Sequence, residues 1–146
     1  MVPSKAPLRI DISYEPPQAA YQELWEVLRA YNVAQIGDCT NSPFAVLLRD
    51  PDTDAVVGGI WARSIWGSFF VDILVAPEGE RGAGQGRSLM AQAEAEARAR
   101  GCRNIWLDTF AFQARPFYEK LGFRVFGQID GPQPMFPRYF MIKDLV

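Results

Sequence analysis

The sequence predicts an α/β fold of the α+β kind: a mixed, mostly antiparallel central sheet with helices on its faces. Three stretches carry that expectation. "PFAVLLRD", "PDTDA" and "VVGGIWARSI" read as strand, turn and returning strand, a hairpin. "GQGRSLMAQAEAEARAR" repeats its apolar residues at helical spacing directly after a glycine-rich turn. "CRNIWLDTF", "FQARPFYEKLG", "FRVFGQI" and "RYFMIKDL" then give a strand, a short helix and two closing strands.

Taken in order, Leu8 to Tyr14 alternates as "LRIDISY", the pattern of a half-buried strand. Pro16 and Pro17 suit a helix start. Tyr21, Leu24, Trp25, Val27, Leu28 and Tyr31 follow helical spacing, and the next stretch, "YNVAQIGDCTNSP", reads as irregular, with room for a short second helix. After the hairpin and a "WGS" turn, Ser68 to Ala76 is apolar almost throughout, as a strand covered on both faces would be. The helix from Gly84 to Arg100 buries Leu89, Met90, Ala93 and Ala97. It carries Glu94/Arg98 and Glu96/Arg100 as pairs four residues apart on its wet side, and Gly101 ends it. Gly122 closes the later short helix, and the last two strands should pair antiparallel. The expected order is β-α-β-β-β-α-β-α-β-β, in one domain spanning residues 1–146.

Composition removes whole classes of function. The chain has 146 residues, 49% of them hydrophobic, which is enough for a packed core. A net charge of −2 gives no basic field for nucleic acid. No apolar run approaches the ~18–20 residues of a membrane span. The N-terminus lacks the apolar stretch of a signal peptide, so a cytoplasmic protein is expected. There is no histidine, which excludes Ser-His-Asp and Cys-His catalysis and every histidine metal site. The two cysteines, Cys39 and Cys102, form no CxxC pair, so neither a disulfide framework nor a metal site is expected. Acid–base chemistry falls to carboxylates, tyrosine, lysine, cysteine or water.

The chemistry concentrates in "ILVAPEGERGAGQGRSLM". The first amides of a helix have no partner within it, and the helix dipole adds partial positive charge there. Glycines let that backbone close on a phosphate, and Arg81 and Arg87 add charge. A Walker loop would need a lysine that is missing. A dinucleotide-binding loop is a near miss: "GAGQG" lies close to GxGxxG, and Asp108 ends the next strand. However, "PEGE" parts the loop from its strand, and the preceding strands form hairpins. The third reading is the pyrophosphate loop of a coenzyme A enzyme, and a plain glycine-rich turn is the fourth.

"RGAGQG" resembles the signature of the GNAT superfamily of acyl-CoA N-acyltransferases: glutamine or arginine, two free positions, glycine, one free position, then glycine or alanine. Arg81, Gly84 and Gly86 fill it. "FYEKLGF", Phe117 to Phe123, follows the next strand as in that family, and the resemblance covers roughly residues 43 to 130. It implies acetyl-CoA as co-substrate. The loop Arg81, Gly82, Ala83, Gly84, Gln85, Gly86 and Arg87 would hold the pyrophosphate, and the backbone of Leu74, Val75 and Ala76 would pair with the pantetheine arm. The strand at 102–110 would splay away to form the acyl slot. Many members carry asparagine where this chain has Ala111, which moves one pantetheine contact, with Gln113 the candidate to take it. Phe117 and Lys120 complete the cofactor set; Lys120 and Arg115 could meet the adenosine 3′-phosphate or be solvated surface charges.

Tyr118 matches the tyrosine that serves as acid in many members; read by itself it could equally belong to an apolar stripe with Ala114, Phe117 and Leu121. Asp72 sits inside "FFVDILV", where a carboxylate is costly unless paired or used. By strand alternation it shares a face with Phe70, Leu74 and Ala76. Buried there, it could take the amine's proton at a raised pKa, or it could pair with an arginine. Asp108 could hold a substrate ammonium or cap nearby amides. Trp61, Trp66, Phe69 and Phe110 could wall the substrate side or fill the core. The resemblance implies an N-acetyltransferase acting on a small-molecule or protein amine by direct attack, with a homodimer in keeping with related proteins. A CoA-binding domain without turnover and a dinucleotide-binding oxidoreductase are the competing readings.

Overall fold

The computed structural model describes residues 6–38, 41–77 and 84–146. The chain forms two compact units, Met1–Cys39 and Thr40–Val146.

The first unit holds one helix, α1 (Gln18–Ile36), entered from Pro17. It runs farther than the apolar spacing of Tyr21 to Tyr31 predicts and takes in the first part of the stretch expected to be irregular, as far as Ile36. Gly37 stops it with φ 85, a left-handed angle that suits glycine, and its N–H donates to the Val33 carbonyl at 2.9 Å. Leu8 to Tyr14 forms no strand. Alternation marks a segment able to pair, but a strand needs a neighbour's ladder, and among the described residues this unit holds one helix and no strand.

The second unit contains β1 (Ser42–Arg49), β2 (Val56–Ile65), β3 (Ser68–Val75), α2 (Gln85–Ala99), β4 (Asn104–Phe110), α3 (Arg115–Lys120), β5 (Arg124–Ile129) and β6 (Arg138–Asp144). One six-stranded sheet runs in the order β1-β2-β3-β4-β6-β5. All neighbours are antiparallel except β3 and β4. The mixed, mostly antiparallel architecture is therefore the one expected.

α2 buries Leu89, Met90, Ala93 and Ala97, the predicted stripe, and packs on β2, β3 and β4. They meet a core of Ile60, Ala62, Phe69, Val71, Ile105, Leu107 and Met141. Both predicted helix pairs form, Glu94–Arg98 at 3.0 Å and Glu96–Arg100 at 2.9 Å. Arg100, however, is no solvated charge. It donates to the Ser42 and Pro43 carbonyls and to Ser64 Oγ, and its guanidinium lies over the Phe44 and Phe69 rings, tying α2 to the outer hairpin.

β3 departs from the expected strand covered on both faces. Phe69 and Val71 are buried, but Asp72, Ile73 and Val75 are exposed. The cause is a bulge. Ala62 pairs with Val71 and Trp61 with Ile73, so Asp72 has no opposite residue. The extra residue resets the alternation. Leu74, paired with buried Ile60, returns to the core side, and Asp72 stays outside.

Candidate active site

β3 and β4 pair only from Ser68–Asn104 to Phe70–Trp106 and then separate, while β4 stays paired with β6 as far as Phe110. Ser68 Oγ donates to Asn104 Oδ1 at 2.6 Å at the base of this fork. A groove of about 460 Å³ lies beyond it, lined by Leu74, Ala76, Gly84, Gly86, Arg87, Ala114, Phe117 and Tyr118. Its walls are therefore the end of β3, the start of α2 and the helix α3.

The floor at α2 is suited to an anion. Gly84 is the N-cap, with φ 75 and ψ 0, and its carbonyl takes the first helical bond from the Ser88 N–H at 2.9 Å. The amides of Gln85, Gly86 and Arg87 are thus left without acceptors inside the helix, and no acidic side chain sits in the first turn. A Cβ built on Gly84 would meet no atom of the described residues within 4 Å. That open space above unpaired amides fits a phosphate group. Gly86 has a different task. A Cβ there would lie 3.3 Å from Phe117 Cζ and 3.6 Å from Ala76 Cβ, so its missing side chain lets α2 close on α3 and β3.

Tyr118 joins the two readings that the sequence left apart. Its ring belongs to the core, packed edge-on to Phe117 and Phe123 at centroid distances of 5.1 and 5.8 Å, yet the residue lines the groove. Only 7% of it is exposed. Burial, and secondly the charge of Asp108, push its phenol up to about 12. Its hydroxyl makes no hydrogen bond among the described residues. Its backbone is fixed: the N–H donates to the Ala114 carbonyl at 3.2 Å, and its carbonyl accepts from Leu121 and Phe123.

The remaining sequence candidates separate. Arg81, Gly82 and Ala83 lie outside the described residues. Val75, Gln85, Gln113 and Lys120 are not among the residues lining the groove. Asp72 is exposed at the bulge, just past the last β3–β4 pair, and no longer shares a face with Leu74. The buried carboxylate expected there does not exist. Asp108 is held by Arg138, which donates from Nε to its Oδ1 at 2.9 Å and keeps a terminal nitrogen 2.8 Å from the same oxygen. Arg115 stacks on Tyr139 and pairs with Glu119 at 3.0 Å. The aromatic wall does not assemble: Phe69 is wholly buried beside α2, whereas Trp66 caps the β2–β3 turn and is mostly exposed. Cys102 is a free, buried thiol that burial pushes up, which suits packing. Among the described residues no cluster of histidine, cysteine and carboxylate groups could hold a metal ion, and no helix is long and apolar enough to cross a membrane.

Sequence reasoning missed Thr109 and Arg138. Thr109 is a buried hydroxyl at the end of β4, and Arg138 lies between the Phe110 and Phe140 rings at 5.1 and 5.2 Å. Neither spacing nor composition marks them; only the β4–β6 register brings Arg138 to Asp108.

Comparison with known proteins agrees with this geometry. The chain is 35% identical to the acetyltransferase Atu2258 of Agrobacterium fabrum over 77% of its own length and 81% of that protein. It is 36% identical to the blasticidin-S acetyltransferase of Streptomyces morookaense over 62% and 67% of the two lengths. Among solved structures, a protein of Agrobacterium tumefaciens described as an acetyltransferase superposes with a TM-score of 0.84 at 29% identity. That match covers 94% of this chain and all of the other. Residues 10–123 match the acetyltransferase (GNAT) family, and the chain belongs to it.

Proposed function

We propose that this acetyltransferase moves an acetyl group from acetyl-CoA to a primary amine by direct attack, with both substrates bound together. The observation that carries the reading is the groove: unpaired helix amides at one end, a strand fork at the other, and Tyr118 in the wall between them.

Acetyl-CoA supplies an acyl group activated as a thioester. The Gln85, Gly86 and Arg87 amides would hold its pyrophosphate, and the Leu74–Ala76 backbone its pantetheine arm. Tyr118 would face the departing sulfur. Thiols titrate near ~8.5, so a phenol at about 12 is the weaker acid. Tyr118 therefore keeps its proton at neutral pH and supports the developing thiolate as a hydrogen-bond donor. An alkylamine titrates near ~10 and must lose a proton before it attacks. Asp72, exposed beside the fork and outside the groove's lining, would be the candidate to take that proton, through water.

The acceptor is an amine on a small molecule or a protein. The name of one relative makes an amine-bearing antibiotic a class to include in any search. Calorimetry with acetyl-CoA, CoA and NAD, followed by thiol release across an amine library, tests the reading. Acetyl-CoA binding and amine-dependent thiol release support it. Binding of CoA with no turnover on any amine would favour a regulatory domain, and binding of NAD alone would overturn the proposal.

A further inference from the structure

Past the fork, β4 keeps one edge on β6 and loses its neighbour on the other. Groups on that second edge need partners, because buried backbone donors and acceptors are rarely left unpaired. Strand backbone alternates its direction from residue to residue, so Trp106, Asp108 and Phe110 address the same edge. Phe110 has both of its groups satisfied by a single residue. Its N–H donates to Gln113 Oε1 at 2.7 Å, and its carbonyl accepts from the Gln113 N–H at 2.9 Å. Gln113 thus makes the two reciprocal bonds that a residue of a neighbouring strand would make, one of them through its side chain.

The same Oε1 accepts from the Thr109 hydroxyl at 3.3 Å, and Thr109 Oγ1 in turn receives the Ala114 N–H at 3.4 Å. Thr109 is 2% exposed, so its hydroxyl depends on this network. Ala114 is the N-cap of α3, and its carbonyl takes the Tyr118 N–H one turn later. A continuous run of bonds therefore joins the end of the fork to the backbone of Tyr118, with Gln113 at its root.

We propose that Gln113 is a positioning residue for acetyl transfer: it ends the fork in place of a strand and fixes where α3 begins, and so where Tyr118 stands. This rests on the reading of Tyr118 as the donor to the departing sulfur. It also assigns Gln113 a task other than the pantetheine contact suggested by resemblance, because its carbonyl is already bonded twice within the turn.

Gln113 is itself exposed, so substitution there removes no core packing, although it takes an acceptor from the buried Thr109 hydroxyl. Gln113→Met keeps the length of the side chain and removes the acceptor. Gln113→Glu keeps an acceptor oxygen and removes the amide NH2. Displacement of a reacting group by about 1 Å can cost up to ~10²-fold in rate. Gln113→Met should therefore lower kcat by ~10-fold or more while the calorimetric Kd for acetyl-CoA moves less than ~2-fold. Gln113→Glu should recover most of the lost kcat at the same Kd. A weakened Kd in both variants, with kcat kept, would overturn the proposal in favour of a cofactor contact through the NH2. Tyr118→Phe, assayed alongside, separates the two claims. If Tyr118→Phe loses kcat and Gln113→Met does not, the positioning role alone is overturned. If Tyr118→Phe keeps full kcat, the donor reading falls and this inference falls with it.

Discussion

Gly84→Val separates a turn from an anion site. Gly84 has φ 75, and a Cβ there meets nothing among the described residues within 4 Å. The substitution therefore causes no clash, and its cost to the fold is conformational. A left-handed angle costs an L-residue roughly 1–2 kcal/mol, and a β-branched one sits toward the upper end. For a chain of this size, about 2 kcal/mol corresponds to a fall in Tm of about 4–8 °C. The isopropyl group would also occupy the open space beside the amides of Gln85, Gly86 and Arg87. Each hydrogen bond to a charged group contributes about 1.5–3 kcal/mol. Losing one or two of them weakens binding by between ~10-fold and ~10⁴-fold, at about 1.4 kcal/mol per tenfold. Calorimetry with acetyl-CoA reads the affinity and a thermal melt reads the fold. Gly84→Ala, with similar strain and less bulk, should lose comparable stability but less affinity. A lowered Tm with an unchanged Kd in the valine variant would refute the reasoning and leave the glycines as a turn.

The other predictions concern charge. Tyr118 is pushed up to about 12, so the folded state keeps a proton that the unfolded chain loses near 10. Its contribution is full below pH ~10 and is lost as pH rises toward 12, up to about 3 kcal/mol at ~1.4 per unit. Asp108→Asn removes the second cause of that shift, so the phenol should titrate lower, though above an exposed tyrosine because burial remains; an unchanged Tyr118 Cζ titration by NMR would contradict this. At Glu94, burial pushes the carboxyl up, but hydrogen bonds from Lys143 at 2.9 Å and Arg98 at 3.0 Å outweigh it and hold the group below its ordinary value. The stability it adds is present above the unfolded value and is lost as pH falls through the folded one. Glu94→Gln should cost about 1 kcal/mol at pH 7 and flatten the acid limb of the melting profile; an acid limb as steep as before would count against the assignment.

Some of this was legible in the sequence, and the reasons are specific. Leu89, Met90, Ala93 and Ala97 announced α2 because burial on a helix depends on spacing alone. Gly84 was readable as part of a glycine-rich turn that opens a helix, and Tyr118 through the resemblance of "FYEKLGF" to its family. Gly86 was grouped with Gly84, although its contact with Phe117 is a packing requirement that only the folded chain reveals. The bulge at Asp72 was hidden, because an unpaired residue is a property of two strands together. Leu8 to Tyr14 misled for the same reason: alternation describes a strand's faces, not its partner. Arg100 looked like half of a helix pair, and its reach to Ser42 and Pro43 required the tertiary register.

The most direct test of the account is Tyr118→Phe, measured for kcat, acetyl-CoA Kd and Tm on one verified amine substrate. The change keeps the ring packed between Phe117 and Phe123 and removes only the hydroxyl. The account predicts that kcat falls by ~10²-fold or more, as loss of a donor to developing charge does. The Kd should stay unchanged, and Tm should barely move, because no buried partner of the hydroxyl is stranded. A variant with full kcat and a lowered Tm would show that Tyr118 serves the core alone, and would contradict the account.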